Sequence, residues 1–73
     1  MRIEVEKLLE DSLISESYFK KILTKCKINE KIFLDEFDLK KLYEYMPVKT
    51  YKTKHLLLKI KKILNDENYS FIN

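Results

Sequence analysis

The chain has no glycine and only one proline, Pro47, among its 73 residues. Typical proteins contain about 7% glycine and about 5% proline. A β-rich fold of this size needs several tight turns, and such turns favour glycine because it adopts positive φ angles at no steric cost. The missing glycine therefore predicts helices joined by short loops. We expect an all-α fold, a single compact bundle of four or five short helices.

Length and composition predict one small folded domain. A chain of 73 residues forms a single domain that buries only about 60% of the surface exposed in its unfolded state. Apolar residues make up 45% of the chain and charged residues 37%, a mixture too apolar for a disordered tail. We assign residues 1–64 to a helical binding domain. Residues 65–73 read as a polar C-terminal tail, in which Tyr69, Phe71 and Ile72 could dock back.

Apolar residues recur at helical spacing along most of the chain. Ser15 and Asp35 are placed to cap two of the helices, because their side chains can accept unpaired backbone N–H groups, and Asp38 completes a capping-box pattern. Pro47 should end the helix before it, since it lacks an N–H. The predicted helices cover about residues 3–11, 16–27, 30–34 and 36–46, and a last helix runs from a cap at Thr50 or Thr53 to about residue 64.

The apolar stripes of these helices predict the core. Tyr45 and Tyr51 fall off the stripes, so we expect them at the surface. The expected core residues, helix by helix, are Val5, Leu8 and Leu9; Tyr18, Phe19, Ile22, Leu23 and Cys26; Ile32, Phe33 and Phe37; Leu39, Leu42, Tyr43 and Met46; and Leu56, Leu57, Ile60, Ile63 and Leu64.

Charge is separated along the second half of the chain. Residues 49–62 contain six lysines and no acid, whereas residues 30–38 contain four acids and one lysine. A small rigid domain with one basic and one acidic face is suited to a charged partner. The net charge of +3 permits nucleic acid as that partner but does not require it.

Few residues could support catalysis. His55 is the only histidine and Cys26 the only cysteine, which is too few for a typical metal site. A phosphate-binding loop rich in glycine is excluded. A Cys26–His55 dyad is disfavoured because a free cysteine on an apolar stripe is usually buried. We therefore expect no enzyme activity, no cofactor and no small-molecule substrate.

The single cysteine cannot form an internal disulfide, and the N-terminus does not have the pattern of a signal peptide. Both observations favour a cytoplasmic or nuclear location. The longest apolar run, residues 55–58, is far shorter than the roughly 20 residues that span a membrane, so no membrane association is expected.

Three stretches resemble parts of the sterile alpha motif (SAM) family. FLDEFDLKKL is similar to its mid-domain stretch, KTKHLLLKIKKIL to its long last helix, and VEKLLEDSLISESYFKKI to its two opening helices. The resemblance covers about residues 3–64. The chain differs from the family in having no tryptophan in the first helix, no glycine before the fourth and fifth helices, and a longer link into the last helix.

The resemblance implies a SAM-like arrangement and a protein-interaction function, with copies of the chain associating head to tail. In such an assembly an acidic mid-domain surface meets the basic start of the last helix on a neighbouring copy. The matching residues in this sequence are Asp35, Glu36 and Asp38 on the acidic side and Lys49, Lys52, Lys54 and His55 on the basic side.

Nucleic-acid binding is the alternative interpretation, because residues 38–60 have the outline of a helix-turn-helix with the last helix as reader. Some SAM-family members also bind RNA hairpins through the same basic end. The basic segment lacks arginine, the commonest reader of guanine, so phosphate contacts are favoured over sequence-specific DNA recognition. The residues for this alternative are Lys49, Thr50, Tyr51, Lys52, Lys54, His55 and Lys59, with Thr53 as a further base contact.

Overall fold

The computed structural model describes residues 2–66. The expected docking of Tyr69, Phe71 and Ile72 lies outside these residues. The prediction of a compact, mostly helical fold is confirmed, and a small two-stranded sheet is added to it. The elements in chain order are β1 (Arg2–Glu4), α1 (Val5–Leu9), α2 (Glu16–Lys25), β2 (Phe33–Asp35), α3 (Glu36–Tyr45) and α4 (Tyr51–Asn65).

The predicted short helix over residues 30–34 is wrong, because this segment leads into β2, which pairs with β1 in antiparallel orientation. Ile3 lies opposite Leu34 in the register, and Leu34 is fully buried. Successive residues of a strand point to opposite faces, so burying Leu34 turns Phe33 outward. The Arg2 guanidinium lies 4.5 Å from the centroid of the exposed Phe33 ring.

The end of α2 is a Schellman motif, and it falls earlier in the chain than the sequence pattern predicts. Cys26 is the C-cap, and Lys27 has a positive φ of 59°. The Lys27 N–H donates to the Thr24 carbonyl, and the Ile28 N–H donates to the Leu23 carbonyl at 2.9 Å. Glycine usually occupies the position of Lys27 in this motif. The chain contains no glycine, so a lysine takes the left-handed conformation.

The predicted caps at Ser15, Asp35 and Thr50 are confirmed. The Ser15 side chain accepts an N–H of α2 at 3.2 Å. Asp35 caps α3 and Thr50 caps α4, each within a capping box. Met46 leaves the helical region with ψ of 139°, as expected for a residue that precedes proline.

The core is formed by one face of each helix together with Leu34, and α4 packs against both α3 and α1. Most of the expected core residues are buried. Ile32, Phe33, Phe37, Tyr18 and Tyr43 are exposed instead, so their assignment to the core is wrong. The buried hydrophobic residues are Leu8, Ile14, Phe19, Ile22, Leu23, Cys26, Ile28, Leu34, Leu39, Leu42, Met46, Leu56, Ile60 and Ile63.

Candidate binding surface on the last helix

Two threonines fix the start of α4. The Thr50 hydroxyl accepts the Thr53 N–H at 3.3 Å, and the Thr53 hydroxyl accepts the N–H groups of Lys49 and Thr50 at 3.0 and 3.1 Å. The Thr53 hydroxyl also donates to the Thr50 carbonyl at 2.9 Å. These bonds hold the Lys49 backbone rigidly against the first turn. Thr53 is fully buried, so its predicted contact with a base is wrong.

The outward side of α4 is basic along its whole length. Its buried side is formed by Thr53, Leu56, Ile60 and Ile63, and the helical period places the remaining side chains toward solvent. Two apolar residues, Tyr51 and Leu58, lie among the charged residues, and they are 70% and 53% exposed. We call this surface the basic face; it comprises Lys49, Tyr51, Lys52, Lys54, His55, Leu58, Lys61 and Lys62.

The predicted basic residues Lys49, Lys52, Lys54 and His55 come together at the N-terminal end of α4, and all four are exposed. The first turn of α4 contains no acid. The ion pairs within residues 2–66 join Lys20 to Glu30, Lys31 to Asp38 and Lys40 to Glu36, and none involves the basic face. The partial positive charge of a helix N-terminus adds to that of the lysines. Positive charge is therefore concentrated at the start of α4.

Lys59, predicted as a phosphate contact, has a structural role. Its Nζ donates to the carbonyl oxygens of Lys7 and Glu10, at 3.3 and 2.7 Å. These carbonyls lie at the C-terminal end of α1, where helix carbonyls carry partial negative charge. The Lys7 carbonyl also accepts the Glu10 N–H at 3.3 Å. Lys59 thus fastens α1 to α4, and fewer of its three N–H groups remain for a ligand than at Lys52 or Lys54.

The predicted acidic residues are engaged with groups of their own chain. Asp35 and Asp38 form the capping box of α3, and the Lys31 ammonium lies 2.8 Å from the buried Asp38 carboxylate. The hydrogen bond from the Asp38 N–H is the main cause that lowers the pKa of Asp35. The hydrogen bond with Asp38 is the main cause that raises the pKa of Lys31. Oε1 of Glu36 lies 3.8 Å from Nζ of Lys40. Much of the negative charge expected here is therefore compensated locally.

Sequence reasoning missed a second group of basic residues. Lys25, Lys27 and Lys41 line a cavity together with Cys26 and Tyr45. The only sequence signal was the lysine content of two separate segments, and the packing of the end of α2 near α3 is what brings them together.

No protein-family model matches this chain, and no curated protein and no solved structure is significantly similar to it. In the part of the chain that the structure describes, no three His, Cys, Asp or Glu side chains form a group that could hold a metal ion. None of the helices within residues 2–66 combines the length and the apolar character needed to cross a membrane.

Proposed function

We propose that this chain is a non-catalytic protein-interaction module that binds an acidic protein surface through the basic face of α4. One observation carries the proposal: the lysines of the basic face are absent from every ion pair formed within residues 2–66. Charges of one sign on a rigid helix attract a partner of opposite charge and fix its orientation.

The apolar residues of the basic face favour a protein partner. Tyr51 and Leu58 are seven residues apart, so they lie on the same side of α4, and both are exposed. An apolar centre surrounded by polar residues is typical of protein interfaces, and tyrosine is enriched at their energetic centres. The phosphate backbone of a nucleic acid would make no use of Leu58.

Copies of the same chain are included among the proposed partners. In a head-to-tail contact the basic face meets Asp35, Glu36 and Asp38 of the next copy, and a contact between two different surfaces can extend into a filament. Because Asp38 is buried and bonded to Lys31, Asp35 and Glu36 would supply most of the attraction. A SAM-like arrangement of the helices, ending in the 15-residue α4, belongs to the same proposal.

Charge reversal on the basic face tests the proposal with a polyglutamate peptide as the acidic probe. The double variant Lys52→Glu/Lys54→Glu should weaken binding of the peptide by about tenfold or more, measured by isothermal titration. The matched control is Lys7→Glu/Lys21→Glu, which changes the net charge equally at exposed lysines outside α4. Equal losses in both variants would show a response to net charge alone and would contradict the proposal.

Static light scattering across protein concentration tests self-association. We expect the apparent mass to rise with concentration for the wild-type chain and to stay monomeric for Lys52→Glu/Lys54→Glu. Mixing this variant with Asp35→Lys/Glu36→Lys should restore assembly, because the two reversed surfaces are again complementary. A wild-type chain that remains monomeric at the highest concentration would rule out the head-to-tail contact but not the binding of another acidic protein.

Nucleic-acid binding is the second candidate function. The observation that favours it is the exposed ring of Tyr51 beside Lys52, because aromatic rings next to lysines can stack bases while the lysines contact phosphates. Titration with single- and double-stranded oligonucleotides at two salt concentrations is the test. Phosphate contacts require affinity to fall steeply with salt. Tyr51→Ala should then weaken binding to the single strand more than binding to the double strand.

A further inference from the structure

A cavity of about 430 Å³ lies between the C-terminal end of α2 and the second half of α3. Its lining residues are Lys25, Cys26, Lys27, Lys41 and Tyr45. Three of these five residues carry an ammonium group, and none carries a carboxylate. The volume lies within the range of about 300–1,000 Å³ that is typical of small-molecule sites. The cavity therefore combines concentrated positive charge with one aromatic side chain.

None of the ion pairs found in the described part of the chain involves Lys25, Lys27 or Lys41. Lys41 lines the cavity together with the end of α2. Burial raises the pKa of the Cys26 thiol, and the positive charge of Lys41 partly opposes that rise. Like charges around one cavity repel each other, and an anion between them would relieve the repulsion.

Lys27 is held beside the cavity by an unfavourable backbone conformation. Its φ of 59° belongs to the left-handed region, where the β-carbon of any residue other than glycine is crowded. The bond from the Ile28 N–H to the Leu23 carbonyl and the burial of both side chains enforce this conformation. The helix end therefore fixes the position of the Lys27 backbone beside the cavity.

Tyr45 supplies the aromatic side chain of the cavity. It lies one turn after Lys41, so both side chains are on the same side of α3. The tyrosine is 62% exposed, so it contributes little to the core. Its ring is accessible to a planar group of a ligand.

We propose that this cavity binds a phosphate-bearing ligand of the mononucleotide class. The phosphoryl oxygens lie among the ammonium groups of Lys25, Lys27 and Lys41, and the base stacks on the ring of Tyr45. Lysine binds phosphate as a compact point charge. The site uses residues of α3 and of the C-terminal end of α2 with its cap, and none of α4, so it is independent of the function proposed for α4. A phosphate within a nucleic-acid strand is the other source of the same chemistry.

Backbone amide NMR titrations at constant ionic strength test the site with four probes: AMP, adenosine, inorganic phosphate and a short oligothymidylate. We expect AMP to shift the amides of residues 25–27 and 41–45 saturably, inorganic phosphate to shift the same amides more weakly, and adenosine to have little effect. Tighter binding of the oligothymidylate than of AMP at these amides would contradict a mononucleotide and assign the phosphate to a strand. AMP shifts that spread over the α4 lysines without saturation would overturn the site.

Matched variants distinguish binding in the cavity from a general response to positive charge. Lys25→Gln/Lys41→Gln should lower the affinity for AMP by about tenfold or more, because charge-assisted hydrogen bonds to phosphate are lost. The control Lys21→Gln/Lys40→Gln removes the same net charge from exposed lysines of the same two helices, and it should leave the affinity nearly unchanged. Equal losses in the two variants would overturn the proposal.

Two further variants exclude loss of folding as an explanation. Lys27→Gly relieves the left-handed conformation, so we expect a higher Tm together with weaker binding of AMP. Tyr45→Leu should weaken binding of AMP but not of inorganic phosphate, because only the nucleotide has a base to stack. If AMP binds both variants as tightly as it binds the wild type, the assignment of Lys27 and Tyr45 to the site is wrong.

Discussion

The carboxylates of Asp35 and Asp38 each accept the backbone N–H of the other residue. The Asp38 nitrogen lies 2.9 Å from Oδ1 of Asp35, and the Asp35 nitrogen lies 3.1 Å from Oδ2 of Asp38. Asp35 is at once the last residue of β2 and the N-cap of α3. The reciprocal bonds therefore join the sheet to the helix, and they explain why two acids in an apparently charged segment serve the fold.

Asp35→Ala should destabilise the protein by about 1 kcal/mol, because the N-cap side chain that accepts the Asp38 N–H is lost. Urea denaturation measures the change in free energy of unfolding. The control Glu44→Ala removes an exposed acid from α3, the helix that Asp35 caps. It should change the free energy of unfolding by less than about 0.5 kcal/mol. Equal effects of the two changes would show that the cap contributes nothing.

Stability should fall in acid because of Asp35. Its pKa is lower in the folded chain than its ordinary value, chiefly through the hydrogen bond from the Asp38 N–H. A group of this kind stabilises the fold above its unfolded-state pKa, and the contribution is lost as pH falls through the lowered folded-state pKa. Tm measured from neutral to strongly acidic pH should therefore decline less in Asp35→Asn than in the wild type. If Tm declines equally in the two proteins as the pH falls, the assignment of this pH dependence to Asp35 is wrong.

Thr53→Val should cost about 1–3 kcal/mol although the two side chains have the same shape. The valine removes the acceptor that the N–H groups of Lys49 and Thr50 share, and position 53 is fully buried. Thr24→Val is the matched control, since that hydroxyl is exposed and donates only within α2. Thermal unfolding followed by circular dichroism would detect the difference. A destabilisation of Thr24→Val as large as that of Thr53→Val would contradict the structural role of Thr53.

The burial of Leu34 and the exposure of Phe37 make opposite predictions for two apolar residues of one segment. Leu34→Ala should cost about 2–5 kcal/mol, because it opens a cavity in the core. Phe37, which is 75% exposed, should tolerate Phe37→Ala with a change of less than about 0.5 kcal/mol. Denaturant titration of both variants decides the matter. The reverse ranking would mean that Phe37, and not Leu34, belongs to the core, as the sequence pattern suggests.

The features that the sequence predicts correctly are local ones. The caps at Ser15, Asp35 and Thr50 and the stop at Pro47 follow from side chains that lie within a few residues of the groups they satisfy. The helical stripes are local as well. The sheet could not be predicted in the same way, because β2 forms only by pairing with β1, about thirty residues earlier in the chain.

The candidate surfaces also combine features that nearby residues determine with features that only the fold determines. The exposure of Lys52 and Lys54 follows from the period of α4. The local compensation of Asp38 depends on Lys31, seven residues away in the chain and brought close by the fold. The cavity between the end of α2 and α3 likewise depends on the fold, which brings residues 25–27 close to residues 41 and 45. Charge along a sequence therefore identifies a basic helix more reliably than it identifies the uncompensated charge of a surface.

Backbone amide NMR with the polyglutamate peptide would locate the binding surface on the chain. We expect saturable shifts confined to residues 49–62, with the largest at the start of α4, where the lysines and the helix N-terminus coincide. Lys52→Glu/Lys54→Glu should abolish these shifts, whereas Lys7→Glu/Lys21→Glu should not. Shifts centred on α2 or α1, or shifts that persist in Lys52→Glu/Lys54→Glu, would show that the basic face is not the binding surface.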